Sequence, residues 1–201
     1  MPDNPFATEA AAITYARGRP DYSGVISPII RRMLGLDEPV PLAVDIGSGT
    51  GISTMALAPL AVQVIGVEPS LSMLERAAAA PNVTYRRGSA EALPLENESC
   101  DLVSVGSALH WFDRQRFLGE ASRVAKPEAW LVVHDHWFAG QMEGEARFED
   151  WIKASYLQRY PPPERDRSWR PPADLGEWRH VRWERYDHSI TFDAEHWPTT
   201  S

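Results

Sequence analysis

Two hydrophobic rhythms divide this chain. Residues 1–22 are polar and weakly patterned; Phe6, Ala11 and Tyr15 can share one helical face until Gly18 and Pro20 break it. Ile26, Ile29, Ile30, Met33 and Leu34 repeat at helical spacing, closed by Gly35 beyond the last turn. Ser27-Pro28 is the favoured N-cap and first position of that helix, and a helix begun near Tyr22 and kinked at Pro28 is the alternative. From residue 42, short continuous apolar runs alternate with amphipathic ones. Leu42–Ile46, Gln63–Glu68, Val83–Arg87, Asp101–Val105 and Trp130–His134 read as strands. Gly51–Leu60, Ser70–Ala80 and Asp113–Ala125 read as helices, the second with Ser72-x-x-Glu75 as a capping box and the third stopped by Lys126-Pro127. Apolar strands between amphipathic helices predict an α/β fold, its mostly parallel sheet covered on both faces. Such sheets take ligands beyond the carboxyl ends of their strands, where the strand order reverses.

After Trp137 the rhythm changes. Phe148, Trp151, Ile152 and Tyr156 mark an amphipathic helix from about Gly144 to Arg159. Two proline runs, 161–163 and 171–172, bracket Arg165, Arg167 and Arg170. A solvated loop is the simpler reading of those arginines, and a lid that attracts carboxylates the sharper one. Val181–Phe192 alternates loosely, as an antiparallel strand would. All eight tryptophans lie between Trp111 and Trp197, so the second half reads as a lid elaborated on a compact first half. The expected organisation is one domain over 1–201, with an N-terminal helical cap (1–40), a ligand-binding core (41–137) and a lid or substrate region (138–201).

Composition narrows the partners. A chain of 201 residues suffices for one substantial core. A formal charge of −8 argues against nucleic acid or an anionic membrane as the main partner. Cys100 is the single cysteine, which excludes a disulfide framework and a cysteine-based metal site. Neither a signal peptide nor a bilayer-spanning run is visible, so a cytoplasmic monomer or homodimer is expected.

Chemistry gathers at Val44-Asp45-Ile46-Gly47-Ser48-Gly49-Thr50-Gly51. Alternating glycines let a strand turn sharply and approach a ligand closely, and the following helix aims free N–H groups at it. A dinucleotide turn needs a third glycine where Ile52 stands, and a P-loop needs a lysine that is absent. Asp45 suits a cationic ligand better than a pyrophosphate. Glu68, closing the next strand ahead of Pro69, is placed to accept hydrogen bonds from two ribose hydroxyls. Ribose plus a cation without phosphate describes S-adenosylmethionine (SAM).

These residues resemble the class I SAM-dependent methyltransferases. Asp45-x-Gly47-x-Gly49-x-Gly51 and Glu68 are similar to the first two motifs of that family. Gly88-Ser89-Ala90-Glu91-Ala92-Leu93-Pro94 resembles the adenine-contacting loop. Asp101–Val105 with Gly106-Ser107-Ala108-Leu109-His110-Trp111-Phe112 resembles the fourth strand and the loop beside the methyl donor. Tyr15 to Tyr22 resembles the Tyr-x-x-x-Arg-Pro-x-Tyr segment of a type 11 subgroup that includes the trans-aconitate methyltransferase-like enzymes. The likeness covers residues 6–137 well and the rest loosely. It implies a Rossmann-like three-layer αβα sandwich and methyl transfer from SAM to a small-molecule acceptor, a carboxylic acid by analogy with the subgroup. Cofactor contacts would come from Tyr15, Arg19, Asp45, Gly47, Ser48, Gly49, Gly51, Glu68, Pro69, Ser89, Ala90, Glu91 and Ser107. Two departures stand out. Glu128-Ala129 replaces two glycines and predicts a different backbone path there. A candidate for the sixth strand exists at Val181–Phe192 but none for the seventh, so the C-terminal strand hairpin reads as incomplete and the chain as truncated or else as an unusually short member.

His110 is the candidate general base, because its unperturbed pKa lies near neutrality; a purely local hydrogen-bonding histidine is the competing reading. Trp111 reads as a pocket wall. His134-x-His136 faces one side if on a strand, but lacks a third ligand, so these histidines read as acceptor-pocket lining and no metal is expected. A SAM-binding domain without turnover is the alternative function, and an NAD-dependent oxidoreductase a more distant one, disfavoured by Ile52 and Asp45.

Overall fold

A computed structural model of the protein describes residues 9–136, 140–159, 178–179 and 182–189. Two helices lead the chain, α1 (Glu9–Gly18) and α2 (Ser23–Leu34). There follow β1 (Val40–Ile46), α3 (Ile52–Leu57) with a 3₁₀ turn at Ala58–Leu60, β2 (Ala61–Glu68), α4 (Leu71–Leu74), β3 (Val83–Arg87) and β4 (Cys100–Gly106). A 3₁₀ turn at Leu109–Trp111 leads into α5 (Arg114–Val124) and β5 (Ala125–His134). Beyond these, α6 (Arg147–Trp151) runs through a π turn at Ile152–Tyr156 into α7 (Leu157–Arg159). No helix among the described residues is long and apolar enough to cross a membrane.

The five strands form one parallel sheet in the order β3-β2-β1-β4-β5. The expected α/β sandwich with a parallel sheet is therefore present. Alternation along β1 splits the core. Ala43 joins Ile30, Leu57, Leu60, Val64 and Leu102 beneath α2 and α3, while Val44 and Ile46 join Val67, Val103, Val105 and Phe117 beneath α5. Strand order reverses between β1 and β4, so the crevice opens where Ile46 and Gly106 end.

Several expectations need correction. Ser27-Pro28 does not begin α2. Tyr22 is its N-cap position and Pro28 lies inside, while Asp21 Oδ1 takes the Ser23 N–H at 2.8 Å. Starting one turn earlier buries Ser27 and Ile30 on one face, which offsets the hydrogen bond proline cannot make. The helix expected over Ser70–Ala80 stops at Leu74, and its cap is Ser70, whose Oγ accepts from Met73 N at 3.4 Å, rather than Ser72. Tertiary bonds end it: Ala78 N donates to Thr50 O at 3.0 Å, and Tyr85 Oη donates to Ala78 O at 2.6 Å. β5 begins at Ala125, five residues earlier than expected, with an irregular register between Cys100 and Leu102. Glu128 there adopts φ +67, the left-handed conformation that glycine takes most readily. Within the strand expected at Val181–Phe192, residues 182–189 form no strand; instead Glu184 bonds Arg32 of α2 at 2.7 Å. Phe6, the proline runs and Arg165, Arg167 and Arg170 lie outside the described residues.

Candidate functional site

The glycine turn takes its shape from crowding on one side and open space on the other. Gly47, Gly49 and Gly51 all have positive φ (73°, 54° and 89°). A Cβ on Gly47 would stand 2.6 Å from Ala108 Cβ and 3.1 Å from the Phe112 ring, so the loop after β4 closes directly on the turn. A Cβ on Gly51 would strike the Tyr85 hydroxyl. Gly49 has nothing within 4 Å of that position, so its backbone faces free volume. Gly47 N and Ser48 N both donate to Val67 O, at 2.8 and 3.1 Å, which seats the turn on β2.

Two buried carboxylates flank the turn. Asp45 is fully buried, and its Oδ2 accepts from Ser53 Oγ at 2.7 Å and Thr54 Oγ1 at 2.6 Å, both on α3. Its Oδ1 is buried without a hydrogen-bond partner among the described residues. Burial pushes its pKa up to about 6, partly countered by the two hydroxyls, and the charge of Glu68 adds to the rise. Glu68 is 8% exposed. Its Oε2 accepts from Gly49 N at 3.1 Å and its Oε1 from Ser70 N at 2.9 Å. Burial raises its pKa, and these two N–H bonds oppose the rise. A carboxylate offers about four lone-pair sites, so two acceptor directions remain after the backbone has fixed its orientation.

A second cluster closes the carboxyl ends of β4 and β5. Ser107, at φ +53, donates its N–H to His134 O at 2.9 Å and its hydroxyl to Asp135 Oδ1 at 2.6 Å. Its Oγ lies 3.0 Å from His136 Nδ1. His136 Nε2 receives Arg19 Nη1 at 2.8 Å, and the Tyr22 ring packs against the imidazole in a tilted arrangement, 3.7 Å between centroids and 48° between planes. Arg19 itself lies over the Tyr15 ring, 4.9 Å from Cζ to centroid. The N-terminal segment is thereby tied across the sheet to β5. A cavity of about 280 Å³ touches Arg19 and Asp21 on one side and Thr50, Ile52 and Ala78 on the other.

The predicted site residues separate into three groups. Asp45, Gly47, Ser48, Gly49, Gly51 and Glu68 form one hydrogen-bonded unit with the ends of β1 and β2; Ser48 Oγ is buried and unpartnered among the described residues. Tyr15, Arg19 and Ser107 meet at the second cluster. The rest sit on the adjoining loops. Pro69 is exposed, and its carbonyl accepts from Arg87 Nε at 3.3 Å. Ser89 bridges Ala92, Ala90 is buried in the α5-side core, and Glu91 Oε1 accepts from Asp113 N at 3.0 Å, tying that loop to the cap of α5. His110 lies half-buried in the 3₁₀ turn after β4, its ring 4.8 Å from that of Trp111, which is 40% exposed.

The two histidines at the end of β5 and just beyond it part company. The strand ends at His134, so strict alternation does not carry to His136. His134 lies against Gly106, whose added Cβ would stand 2.8 Å from its Cε1, and neither ring nitrogen has a partner among the described residues. Burial drives the His134 pKa down to about 4. The link between His136 and Arg19 spans 117 positions and left no local signal in the sequence.

The residues fit a SAM-like ligand on observations of the structure. Asp45 Oδ1 is a buried acceptor without a partner, suited to a cationic group, and Arg19 Nε is a buried donor without one, suited to an anionic group. Glu68 retains acceptors for hydroxyls.

Comparison with known proteins agrees. Residues 44–133 match the methyltransferase domain family. Over 130 residues the chain is 37% identical to a candidate methyltransferase of Dictyostelium discoideum, covering 65% of this chain and 48% of that protein. An uncharacterized methyltransferase of Mycobacterium tuberculosis is 35% identical over 59% of this chain and 47% of its own. Among solved structures, a candidate type II methyltransferase from Anaeromyxobacter dehalogenans superposes with a TM-score of 0.60 at 30% identity, covering 69% of this chain and 59% of that one. The chain spans about half the length of the curated relatives it matches.

Proposed function

We propose that the protein is a class I SAM-dependent methyltransferase that transfers a methyl group from SAM to a small-molecule acceptor, with small carboxylic acids the first class to try; the match of residues 44–133 to the methyltransferase domain family and the likeness to methyltransferase relatives support this. The observation that carries the reading is Glu68, a buried carboxylate held by Gly49 N and Ser70 N with two acceptor directions left over. Ribose hydroxyls would satisfy them. Asp45 would meet the cationic amino-acid end, directly or through water, and Arg19 its carboxylate. When bound, the cofactor supplies a methyl group activated by its sulfonium leaving group.

The protein's own contribution is to bind, orient and exclude water. Gly47 lets the Ala108–Phe112 loop close on the turn, which brings His110 and Trp111 to the ends of β1 and β4. Tyr22, 4% exposed, covers His136 from above. His134, with its pKa near 4, stays neutral and is a weak base at pH 7. His110 is therefore the base this reading assigns for a hydroxyl or amine acceptor, and an ionised carboxylate acceptor needs none.

Calorimetric titration with SAM, S-adenosylhomocysteine and NAD tests the cofactor, and S-adenosylhomocysteine release across an acceptor panel tests turnover. Micromolar binding of the first two with none of NAD is expected. Absence of heat with both would sink the proposal.

A further inference from the structure

We propose that His136 is a positioning residue for cofactor binding. By accepting a hydrogen bond from Arg19, it holds that guanidinium where it receives the carboxylate at the amino-acid end of SAM. The inference rests on the reading given under Proposed function and adds to it a residue far from any glycine motif.

The geometry fixes a direction along the whole chain of contacts. A guanidinium has only donors, so at 2.8 Å Arg19 Nη1 makes His136 Nε2 an acceptor. The neutral ring then carries its proton on Nδ1, which faces Ser107 Oγ at 3.0 Å. Ser107 donates its single hydroxyl hydrogen bond to Asp135 Oδ1 at 2.6 Å. Donation thus runs from Arg19 through His136 and Ser107 to Asp135, from a cation to an anion, with no donor facing a donor. Three chain segments meet in it: the N-terminal strap, the loop after β4 and the end of β5. Tyr22, tilted against the imidazole at 3.7 Å between centroids, packs on its face.

Arg19 is left with a function to serve. Its Nε is buried without a partner among the described residues, and the side chain lines the cavity beside Thr50 of the glycine turn. A buried guanidinium donor lacking an acceptor favours an incoming carboxylate, which Arg binds in a fixed planar geometry. His136, by occupying Nη1, sets which edge stays open to the ligand.

The link is also conditional on a neutral ring. His136 is faced by Arg19 and Tyr22 from the N-terminal segment, by Asp135 and His134 from the end of β5, and by His188 from the 182–189 segment. Burial and, after it, the Arg19 charge lower its pKa to about 4, against the opposing pull of Asp135. The acceptor is therefore intact at neutral pH.

The test compares two ligands by calorimetry: S-adenosylhomocysteine, which has the amino-acid end, and 5′-methylthioadenosine, which keeps adenine and ribose but lacks it. His136→Phe keeps a ring against Tyr22 and removes both nitrogens; His136→Gln restores an acceptor. We expect His136→Phe to weaken S-adenosylhomocysteine by about tenfold, with methylthioadenosine unchanged and His136→Gln within about threefold of wild type. Equal weakening of both ligands would mean a structural role and overturn the proposal, as would an unaltered S-adenosylhomocysteine affinity. Should His136→Phe fail to fold, Ser107→Ala removes the Nδ1 partner and should weaken S-adenosylhomocysteine alone by about threefold; an unaltered or unselective effect overturns the proposal. Wild type binding neither ligand would instead refute the underlying cofactor reading.

Discussion

Asp45→Asn should move folding stability and ligand affinity in ways that depend on pH. Asp45 is wholly buried, and its pKa stands at about 6 against an ordinary 3.8. The folded state therefore binds the proton more tightly than the unfolded chain. Stability rises as pH falls through 6 and levels off near the unfolded value. Between pH 7.5 and 5.0 this one site contributes about 1.4 kcal/mol of added stability to the ligand-free protein, out of roughly 3 kcal/mol for the full shift. For a chain of this size that corresponds to roughly 3–6 °C in melting temperature. Glu68 shifts in the same direction, so the wild-type slope alone does not isolate Asp45. The difference between wild type and Asp45→Asn does, because the amide oxygen still accepts the Ser53 and Thr54 hydroxyls but cannot titrate. Ligand reverses the trend. A cation beside Oδ1 favours the ionised carboxyl, so wild-type affinity for S-adenosylhomocysteine should fall as pH drops below about 6, while Asp45→Asn should bind weakly and without that pH dependence. Thermal melts at pH 5.0 to 7.5, with and without S-adenosylhomocysteine, read both effects. Identical pH slopes for the two ligand-free proteins would refute the burial argument, and unchanged affinity in Asp45→Asn would refute the assigned role.

Other expectations are simpler. Glu68→Ala should weaken S-adenosylhomocysteine by at least about thirtyfold, since it removes both remaining acceptors; unaltered calorimetric affinity would place the ribose elsewhere. Gly47→Ala and Gly49→Ala should separate fold from ligand. The first drives a Cβ into Ala108 at 2.6 Å and should cost about 2–4 kcal/mol in urea denaturation. The second meets no protein atom, so it should cost only about 1 kcal/mol yet abolish binding. Glu128→Gly should leave stability unchanged or raise it by up to about 1 kcal/mol, because an exposed glutamate at φ +67 gives up left-handed strain; a clear loss would show that its side chain matters.

Strands were legible because burial on both faces leaves β1, β2 and β4 almost wholly apolar. The acids beside the turn stood out because each puts an ionisable group at the end of an apolar run, as at Asp45 and Glu68, and the structure buries both. Local reading failed where tertiary partners took over. Leu71, Leu74 and Ala78 have helical spacing, but Thr50 O claims Ala78 N, and the Tyr85 hydroxyl claims Ala78 O. Pro28 looked like a first position because proline favours one, yet the burial of Ser27 and Ile30 set the register of α2. The Arg19–His136 link had no spacing to betray it. Its only hint was a histidine two residues beyond the end of β5, where strand alternation no longer governs.

The central place of β1 has a consequence for how the protein is made. Its two neighbours are β2, which follows after one helix, and β4, which arrives only with Cys100–Gly106. The loop that seats against Gly47 comes later still, at Ala108 and Phe112. A nascent chain leaving the ribosome therefore has no complete pocket until residues beyond Phe112 have been synthesised, although the glycine turn has emerged long before. SAM cannot template the early steps and stabilises only the assembled domain. Pulse-labelled, truncated nascent chains should begin to resist protease in a SAM-dependent way only once residues through Phe112 have cleared the exit tunnel.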